Sequence, residues 1–205
     1  SNSAFFELIE KYPATSFYPR ALFQIGQNYY DQKQFDSSIV YWKQLNEKFR
    51  PTAFKEQDWE NVQLRAVRDR QIFEATAGRD TDETALELVA KGQVKIGDAY
   101  RQKNEYQNAM EHYRSVTTTF TLLPLLIEVT FVKMADYTIQ ELGLEEGIAV
   151  YRKAIDDNFA NKEIQAKMQY MIAETYQNRE MFIKAADEFM FYINAYYDVA
   201  QSIEF

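Results

Sequence analysis

The amino-acid sequence predicts an all-α protein in which antiparallel helix pairs repeat along the chain. Helix-breaking residues are scarce, since the 205 residues include only 6 glycines and 4 prolines, and such scarcity favours long helices joined by short turns. One pattern of small and aromatic residues recurs in four segments. A short polar stretch divides each segment, and helices joined by short turns pack as antiparallel hairpins.

The recurring pattern has a constant internal spacing. A small residue is followed nine positions later by a bulky apolar residue, twelve later by a second small residue and sixteen later by an aromatic one. The pairs of small residues are Gly26 and Ser38, Gly97 and Ala109, Ala135 and Gly147, and Ala173 and Ala185. Small residues let two helices approach closely, and aromatic residues then fill the space beside the pair. We therefore predict core positions for Tyr100, Tyr113, Tyr151, Tyr176 and Phe189.

The distances between segments predict one domain of successive repeats. The first small residues lie 38 positions apart in the second half of the chain, but 71 positions separate Gly26 from Gly97. We predict the end of a preceding repeat at residues 1–12, repeats at 15–50, 82–120, 124–160 and 162–197, and a divergent repeat or an insertion at 52–78. Thr15 or Ser16 is predicted to cap the first full helix, with Pro19 in its first turn. Thr81 or Asp82 is the predicted cap at the start of repeat 82–120.

This pattern resembles the tetratricopeptide repeat, a helix-turn-helix unit of about 34 residues. The resemblance implies a solenoid in which helix pairs stack as a right-handed α–α superhelix. The stretch Glu-Lys-Tyr-Pro-Ala-Thr-Ser at residues 10–16 is similar to tetratricopeptide proteins of the bacterial envelope, such as the lipoprotein of the outer-membrane barrel-assembly machine and the periplasmic cell-division coordinator. That similarity implies a periplasmic or outer-membrane-associated protein, with the cytoplasm as the alternative.

The resemblance also implies that the first helices of the pairs line a concave groove for a peptide or protein segment. By register, the groove positions flank the first small residue and point away from the second helix. They are Arg20, Phe23, Gln27, Tyr30, Lys91, Val94, Asp98, Arg101, Val129, Val132, Asp136, Ile139, Lys167, Tyr170, Glu174 and Gln177. The chaperone-binding group clamps a carboxylate with Lys and Asn, whereas Phe23 and Gln27 occupy the corresponding positions here. A cochaperone role is therefore disfavoured.

The sequence offers little for catalysis or for cofactors. Cysteine is absent and His112 is the single histidine, so a zinc site has too few ligands of the usual kind. Glycines are scattered singly and cannot form a phosphate-binding loop. A net charge of −8 disfavours nucleic acid as a partner, and the longest apolar stretch is too short and interrupted to span a bilayer. We predict a non-enzymatic protein without a cofactor or a metal site.

Aromatic residues at the end of the chain suggest a second function. Phe189, Phe191, Tyr192, Tyr196 and Tyr197 lie close together, and one helix cannot bury all of them on one side. Two alternatives to groove binding therefore remain. The first is a homotypic assembly module that associates through this aromatic end. The second is a carbohydrate-binding or enzyme-associated domain in which tyrosines stack on sugars.

Overall fold

The computed structural model describes residues 2–49, 85–121, 123–158 and 160–200 of the chain. Within these ranges the secondary structure is helical and contains no strand, which confirms the predicted all-α fold of tetratricopeptide-like helix pairs. The helices are α1 (Ser3–Lys11), α2 (Tyr18–Asp31), α3 (Phe35–Phe49), α4 (Ala85–Gln102), α5 (Tyr106–Thr119), α6 (Pro124–Glu141), α7 (Leu144–Asp157), α8 (Lys162–Asn178) and α9 (Phe182–Ala200). They fall into two compact units, Ser1–Glu105 and Tyr106–Phe205.

In the first unit, α2 and α3 form a helix pair and α4 packs against both of them, while α1 lies against α2. The core of this unit joins Ile39 and Trp42 of α3 to Ile96 and Ala99 of α4. The repeats that contain α3 and α4 are therefore neighbours in the stack, although 35 residues separate the two helices in the sequence. The predicted divergent repeat or insertion at 52–78 and the predicted caps Thr81 and Asp82 lie outside the described residues.

The second unit repeats this arrangement. The pairs are α6 with α7 and α8 with α9, and α8 also packs against α7 and α6. Helix α5 lies against α6. Each first helix in this unit therefore contacts the helix that precedes it and the helix that follows it, as expected of stacked repeats.

Helix α2 begins two residues later than the predicted cap. Its N-cap position is Phe17, whose side chain makes no capping hydrogen bond. The Thr15 hydroxyl instead accepts a bond from the Phe17 N–H at 3.4 Å, and the Tyr18 N–H donates to the Thr15 carbonyl at 3.1 Å. The hydroxyl and the carbonyl of Thr15 thus accept hydrogen bonds in the turn that precedes α2. The prediction that Thr15 or Ser16 caps this helix is wrong. The predicted place of Pro19 in the first turn is confirmed.

The small residues of the pattern are all buried, as the spacing predicts. Gly26 lies directly against the indole of Trp42, so a β-carbon built on it would be 2.5 Å from Nε1 and 2.7 Å from Cδ1 of that ring. The indole is fully buried and its Nε1 donates to the Phe23 carbonyl at 3.1 Å. Of the predicted core aromatics, Tyr113, Tyr151 and Tyr176 are buried, whereas Tyr100 and Phe189 are half-buried.

Three of the turns that join successive helices share a left-handed residue that is not glycine. Lys33, Asn104 and Glu180 have φ angles of 59°, 58° and 60°, and each lies seven positions after the first small residue of its segment. At Lys33 the turn closes through a bond from its N–H to the Tyr30 carbonyl at 2.8 Å. Residues with a β-carbon are strained in this conformation, and Asn is strained least.

We expect Gly26→Ala to destabilise the protein by about 2 kcal/mol, because the added methyl group overlaps an indole ring that cannot move without losing its hydrogen bond. Gly92→Ala is the matched control. Its β-carbon would meet Leu45 Cδ2 at 3.3 Å, and alanine has the higher helix propensity. Urea denaturation followed by circular dichroism measures both changes. Equal free energies of unfolding for the two variants would contradict the close approach of the Trp42 indole to Gly26.

We expect Lys33→Gly and Glu180→Gly each to stabilise the protein by about 0.5 kcal/mol, because glycine relieves left-handed strain in the folded turn. Asn104→Gly should change the free energy of unfolding less, since asparagine tolerates this conformation. Thermal melting of the three single variants provides the comparison. A loss of stability at Lys33 would show that this turn carries no strain.

Candidate binding surface

The first helices of consecutive pairs lie side by side in each unit. In the first unit α2 contacts α4, and in the second unit α6 contacts α8. We call these the α2–α4 surface and the α6–α8 surface. The predicted groove positions are distributed over these four helices.

Tyr30 is the centre of a polar cluster on the α2–α4 surface. Burial raises the pKa of the Tyr30 hydroxyl, and the carboxylate of Asp98 raises it further, while a hydrogen bond from Gln102 and the charge of Arg101 lower it. The Lys95 Nζ lies 5.5 Å from the centroid of the Tyr30 ring. The structure therefore brings together the predicted site residues Tyr30, Asp98 and Arg101. Lys95 and Gln102 belong to the same cluster and were not predicted.

Two aromatic side chains on this surface point in an unexpected direction. The Phe23 ring lies 6.3 Å from the Trp42 ring, and the Tyr30 ring lies 5.8 Å from Trp42 and 5.4 Å from Phe35. Both therefore contact the second helix of the pair, and the prediction that they point away from it is wrong. Because Gly26 admits the Trp42 indole between the helices, that ring comes within reach of aromatic residues one turn away on each side.

The remaining predicted positions of the first unit differ in exposure. Arg20, Gln27 and Lys91 are half-buried, and Gln27 Nε2 donates to Asp31 Oδ1 at 2.7 Å within α2. Val94 is buried, and Asp98 is only 8% exposed. Among the predicted groove positions of α2 and α4, the basic side chains are therefore more accessible to solvent than the Asp98 carboxylate.

On the α6–α8 surface, the carboxylates of Asp136 and Glu174 flank the Tyr151 hydroxyl. Burial raises the pKa of Tyr151, and the negative charges of Asp136 and of Glu174 both raise it further. Asp136 is exposed and Glu174 is half-buried. The structure therefore places both of these predicted groove residues near Tyr151 of α7.

A second acidic group on this surface was not predicted. Burial raises the pKa of the Glu128 carboxyl, the Lys167 ammonium lowers it, and the Glu163 carboxylate raises it. Glu128 of α6 thus lies near Lys167 and Glu163 of α8. It lies one residue before the predicted position Val129, and the equivalent positions of the other segments hold Pro19, Ala90 and Ala166, so the register gave no signal for it.

Tyr170 contacts the second helix of its pair, as Phe23 does. Its ring lies 5.6 Å from Phe189 and 5.8 Å from Tyr192, both on α9, so the prediction that it points away from that helix is also wrong. Lys167 Nζ lies 5.6 Å from the same ring. Val129 and Gln177 are exposed, and Val132 and Ile139 are half-buried.

The described residues contain no cluster of three His, Asp or Glu side chains that could hold a metal ion. Among the described helices, none combines the length and the apolar character that crossing a membrane requires.

Comparison with known proteins relates two parts of the chain to one family. Residues 20–51, which include most of α2 and all of α3, match the tetratricopeptide repeat. Residues 90–118, which include most of α4 and α5, also match the tetratricopeptide repeat. None of the curated proteins shows significant similarity to the chain.

We expect Asp98→Asn to lower the pKa of Tyr30, because the Asp98 charge opposes ionisation of the nearby hydroxyl. The ¹³Cζ resonances of labelled tyrosines, followed from about pH 8 to pH 12, report each phenol separately. Tyr30→Phe assigns the resonance. Tyr41 is the internal control, since its pKa is raised by burial and by Tyr29 and should not change. An unchanged or higher pKa at Tyr30 would contradict the proximity of the carboxylate.

Proposed function

We propose that this chain is a non-enzymatic scaffold in which the α2–α4 surface and the α6–α8 surface each bind a peptide or protein segment of a partner. Tetratricopeptide repeats generally mediate protein–protein interaction, and the two matched segments include most of α2 and most of α4. The observation that carries the proposal is the clustering of half-buried charged and aromatic side chains on adjacent first helices. Partly buried polar groups beside aromatic rings are typical of surfaces that orient a bound peptide.

The two surfaces differ in charge, which indicates the chemistry of the bound segment. The groove positions of the α2–α4 surface carry the cations of Arg20, Lys91 and Arg101 against one buried carboxylate. Among the groove positions of the α6–α8 surface, the carboxylates of Asp136 and Glu174 outnumber the one cation, Lys167. We infer that a segment bound on the α2–α4 surface contributes acidic residues and that a segment bound on the α6–α8 surface contributes basic residues, because complementary charge sets specificity.

We also propose a place in a bacterial envelope assembly, in the periplasm or at the outer membrane. The support is the similarity of residues 10–16 to tetratricopeptide proteins of that compartment. An affinity capture from separate envelope and soluble extracts, with this chain as bait, tests the compartment. Capture that depends on the two surfaces and occurs only in the soluble cytoplasmic extract would overturn it.

We expect two double variants to lose peptide binding in opposite ways. Peptides are first selected from a random display library on the immobilised chain, and their affinities are measured by fluorescence anisotropy. Lys91→Ser with Arg101→Ser should weaken peptides rich in Asp and Glu at least about 10-fold, or about 1.4 kcal/mol. Asp136→Ser with Glu174→Ser should weaken peptides rich in Lys and Arg to a similar extent, because each pair removes the complementary charge.

The matched control is Glu47→Ser with Lys153→Ser, which changes two exposed residues on the second helices α3 and α7. This variant should bind every selected peptide as the native chain does. If it loses affinity while both groove variants keep theirs, the binding surface lies on the second helices and the proposed function of the α2–α4 and α6–α8 surfaces is wrong.

A further inference from the structure

The Tyr151 hydroxyl of α7 is a buried polar group whose oxygen lacks a donor. Tyr151 is fully buried, and within the described residues its hydroxyl has no hydrogen-bond partner. Thr175 of α8 lies close enough to lower the pKa of Tyr151. The Thr175 hydroxyl has a single proton, however, and donates it to the Met171 carbonyl at 2.6 Å. The Tyr151 oxygen can therefore accept a bond from an added donor, and an unsatisfied buried polar atom favours such a donor.

Two carboxylates lie beside this hydroxyl. Asp136 of α6 and Glu174 of α8 occupy the same position of successive segments, one residue after the first small residue. Burial is the main cause of the raised pKa of Tyr151, and the negative charges of both carboxylates add to it. Because α6, α7 and α8 pack against one another, each of the three helices contributes one acceptor to the same place.

The one cation among the groove positions of α6 and α8 acts at a different place. Lys167 lies two turns before Glu174, which is about 10 Å along the helix. There its charge lowers the pKa of the Glu128 carboxyl, which burial raises, and its Nζ lies 5.6 Å from the centroid of the Tyr170 ring. Among the described residues, the charged side chains that act on the Tyr151 hydroxyl are therefore negative.

The equivalent positions of the first unit do not carry the same acceptors. Gln27 of α2 and Asp98 of α4 stand where the second unit has its two carboxylates, and Trp42 stands in place of Tyr151. The polar atom of the Trp42 side chain is a donor, and the Phe23 carbonyl accepts its bond at 3.1 Å. The set of two carboxylates and one hydroxyl oxygen is thus a property of the α6–α8 surface.

We propose that the α6–α8 surface selects a lysine of the bound segment, whose ammonium is held by Asp136, Glu174 and the Tyr151 hydroxyl oxygen. This inference rests on the proposed function of that surface and adds the residue type that the surface recognises. Asp136 is exposed and Glu174 is half-buried, so the carboxylates meet the ammonium first. Their side chains then turn to admit it to the covered hydroxyl.

An ammonium suits this set of acceptors better than other cations do. It is compact and carries three N–H donors and no acceptor, so it donates to one oxygen from each of three helices. A guanidinium is a planar fork that pairs best with both oxygens of a single carboxylate. A calcium ion takes about six or more oxygen ligands, which is more than two carboxylates and one phenol readily supply.

Replacement of residues in the bound peptide tests the choice of lysine. The probes are the library peptides that Asp136→Ser with Glu174→Ser weakens. Each of their lysines is replaced in turn by arginine and by norleucine, which keeps an aliphatic chain without the charge. We expect one position at which norleucine weakens binding at least about 10-fold and arginine about 5-fold, as fluorescence anisotropy measures it.

Tyr151→Phe tests the contribution of the hydroxyl, because it keeps the ring in the core. In this variant the preference for lysine over arginine at that position should disappear, since the ammonium loses an acceptor that a guanidinium does not use. Tyr176→Phe is the matched control. It removes the hydroxyl of another buried tyrosine, one that donates to Glu145 Oε2 at 3.1 Å, and it should keep the native preference.

Urea denaturation of the same two variants separates recognition from a structural role. Tyr151→Phe should leave the denaturation midpoint unchanged or raise it, because the lost hydroxyl has no hydrogen-bond partner among the described residues. Tyr176→Phe should lower the midpoint, because its bond to Glu145 is lost. A midpoint that falls as far in Tyr151→Phe as in Tyr176→Phe would reveal an internal partner for the hydroxyl and overturn the proposal.

The remaining outcomes distinguish this inference from the proposed function. Peptides that depend on Asp136 and Glu174, but keep their native affinity and lysine preference in Tyr151→Phe, overturn the lysine site and leave the proposed function in place. The absence of any peptide that Asp136→Ser with Glu174→Ser weakens overturns both. A Tyr151 ¹³Cζ resonance that moves with about 1 mM calcium chloride, and not with a selected peptide, would assign the acceptors to a metal ion and overturn the lysine site.

Discussion

The close contact between Gly26 and the Trp42 indole determines how the first helix pair can pack. A glycine at this position removes the only side chain that would keep the indole away from the α2 backbone, and the Phe23 carbonyl then satisfies the indole N–H. The indole is fully buried, and it also contributes to the core shared with α4. One small residue therefore determines both the separation of α2 from α3 and the position of the core on which α4 packs.

This contact also explains the character of the α2–α4 surface. Because Trp42 reaches the backbone of α2, Phe23 and Tyr30 pack on its ring instead of extending into solvent. Tyr30 then lies close to the Asp98 carboxylate, which raises the pKa of its hydroxyl in addition to the effect of burial. The polar groups available to a bound segment are thus held by aromatic packing, which limits the conformational entropy lost when a segment binds.

The sequence was sufficient to predict the helix pairs because the small and aromatic residues recur at a spacing that only antiparallel helices satisfy. The predicted repeat at 15–50 contains α2 and α3 within three residues of its limits. Side-chain direction was less predictable. The register identified Phe23 and Tyr170 as groove positions, but a large ring at such a position reaches the aromatic residue of the second helix. The cap was missed because the Thr15 hydroxyl bonds within the preceding turn.

The inter-repeat contacts show how similar helices can accept different neighbours. Lys43 on α3 donates a hydrogen bond to the Tyr100 hydroxyl of α4, whereas Glu145 on α7 accepts one from the Tyr176 hydroxyl of α8. Both side chains are exposed, so each bond contributes modestly to stability and acts mainly on which first helix packs there. The corresponding positions of α9, counted from the first small residue of each segment, hold Met190 and Ile183. The second helices therefore share one fold but differ in the neighbour that they select: a cation contacts the tyrosine in the first unit, a carboxylate contacts it in the second, and α9 carries neither charge at these two positions.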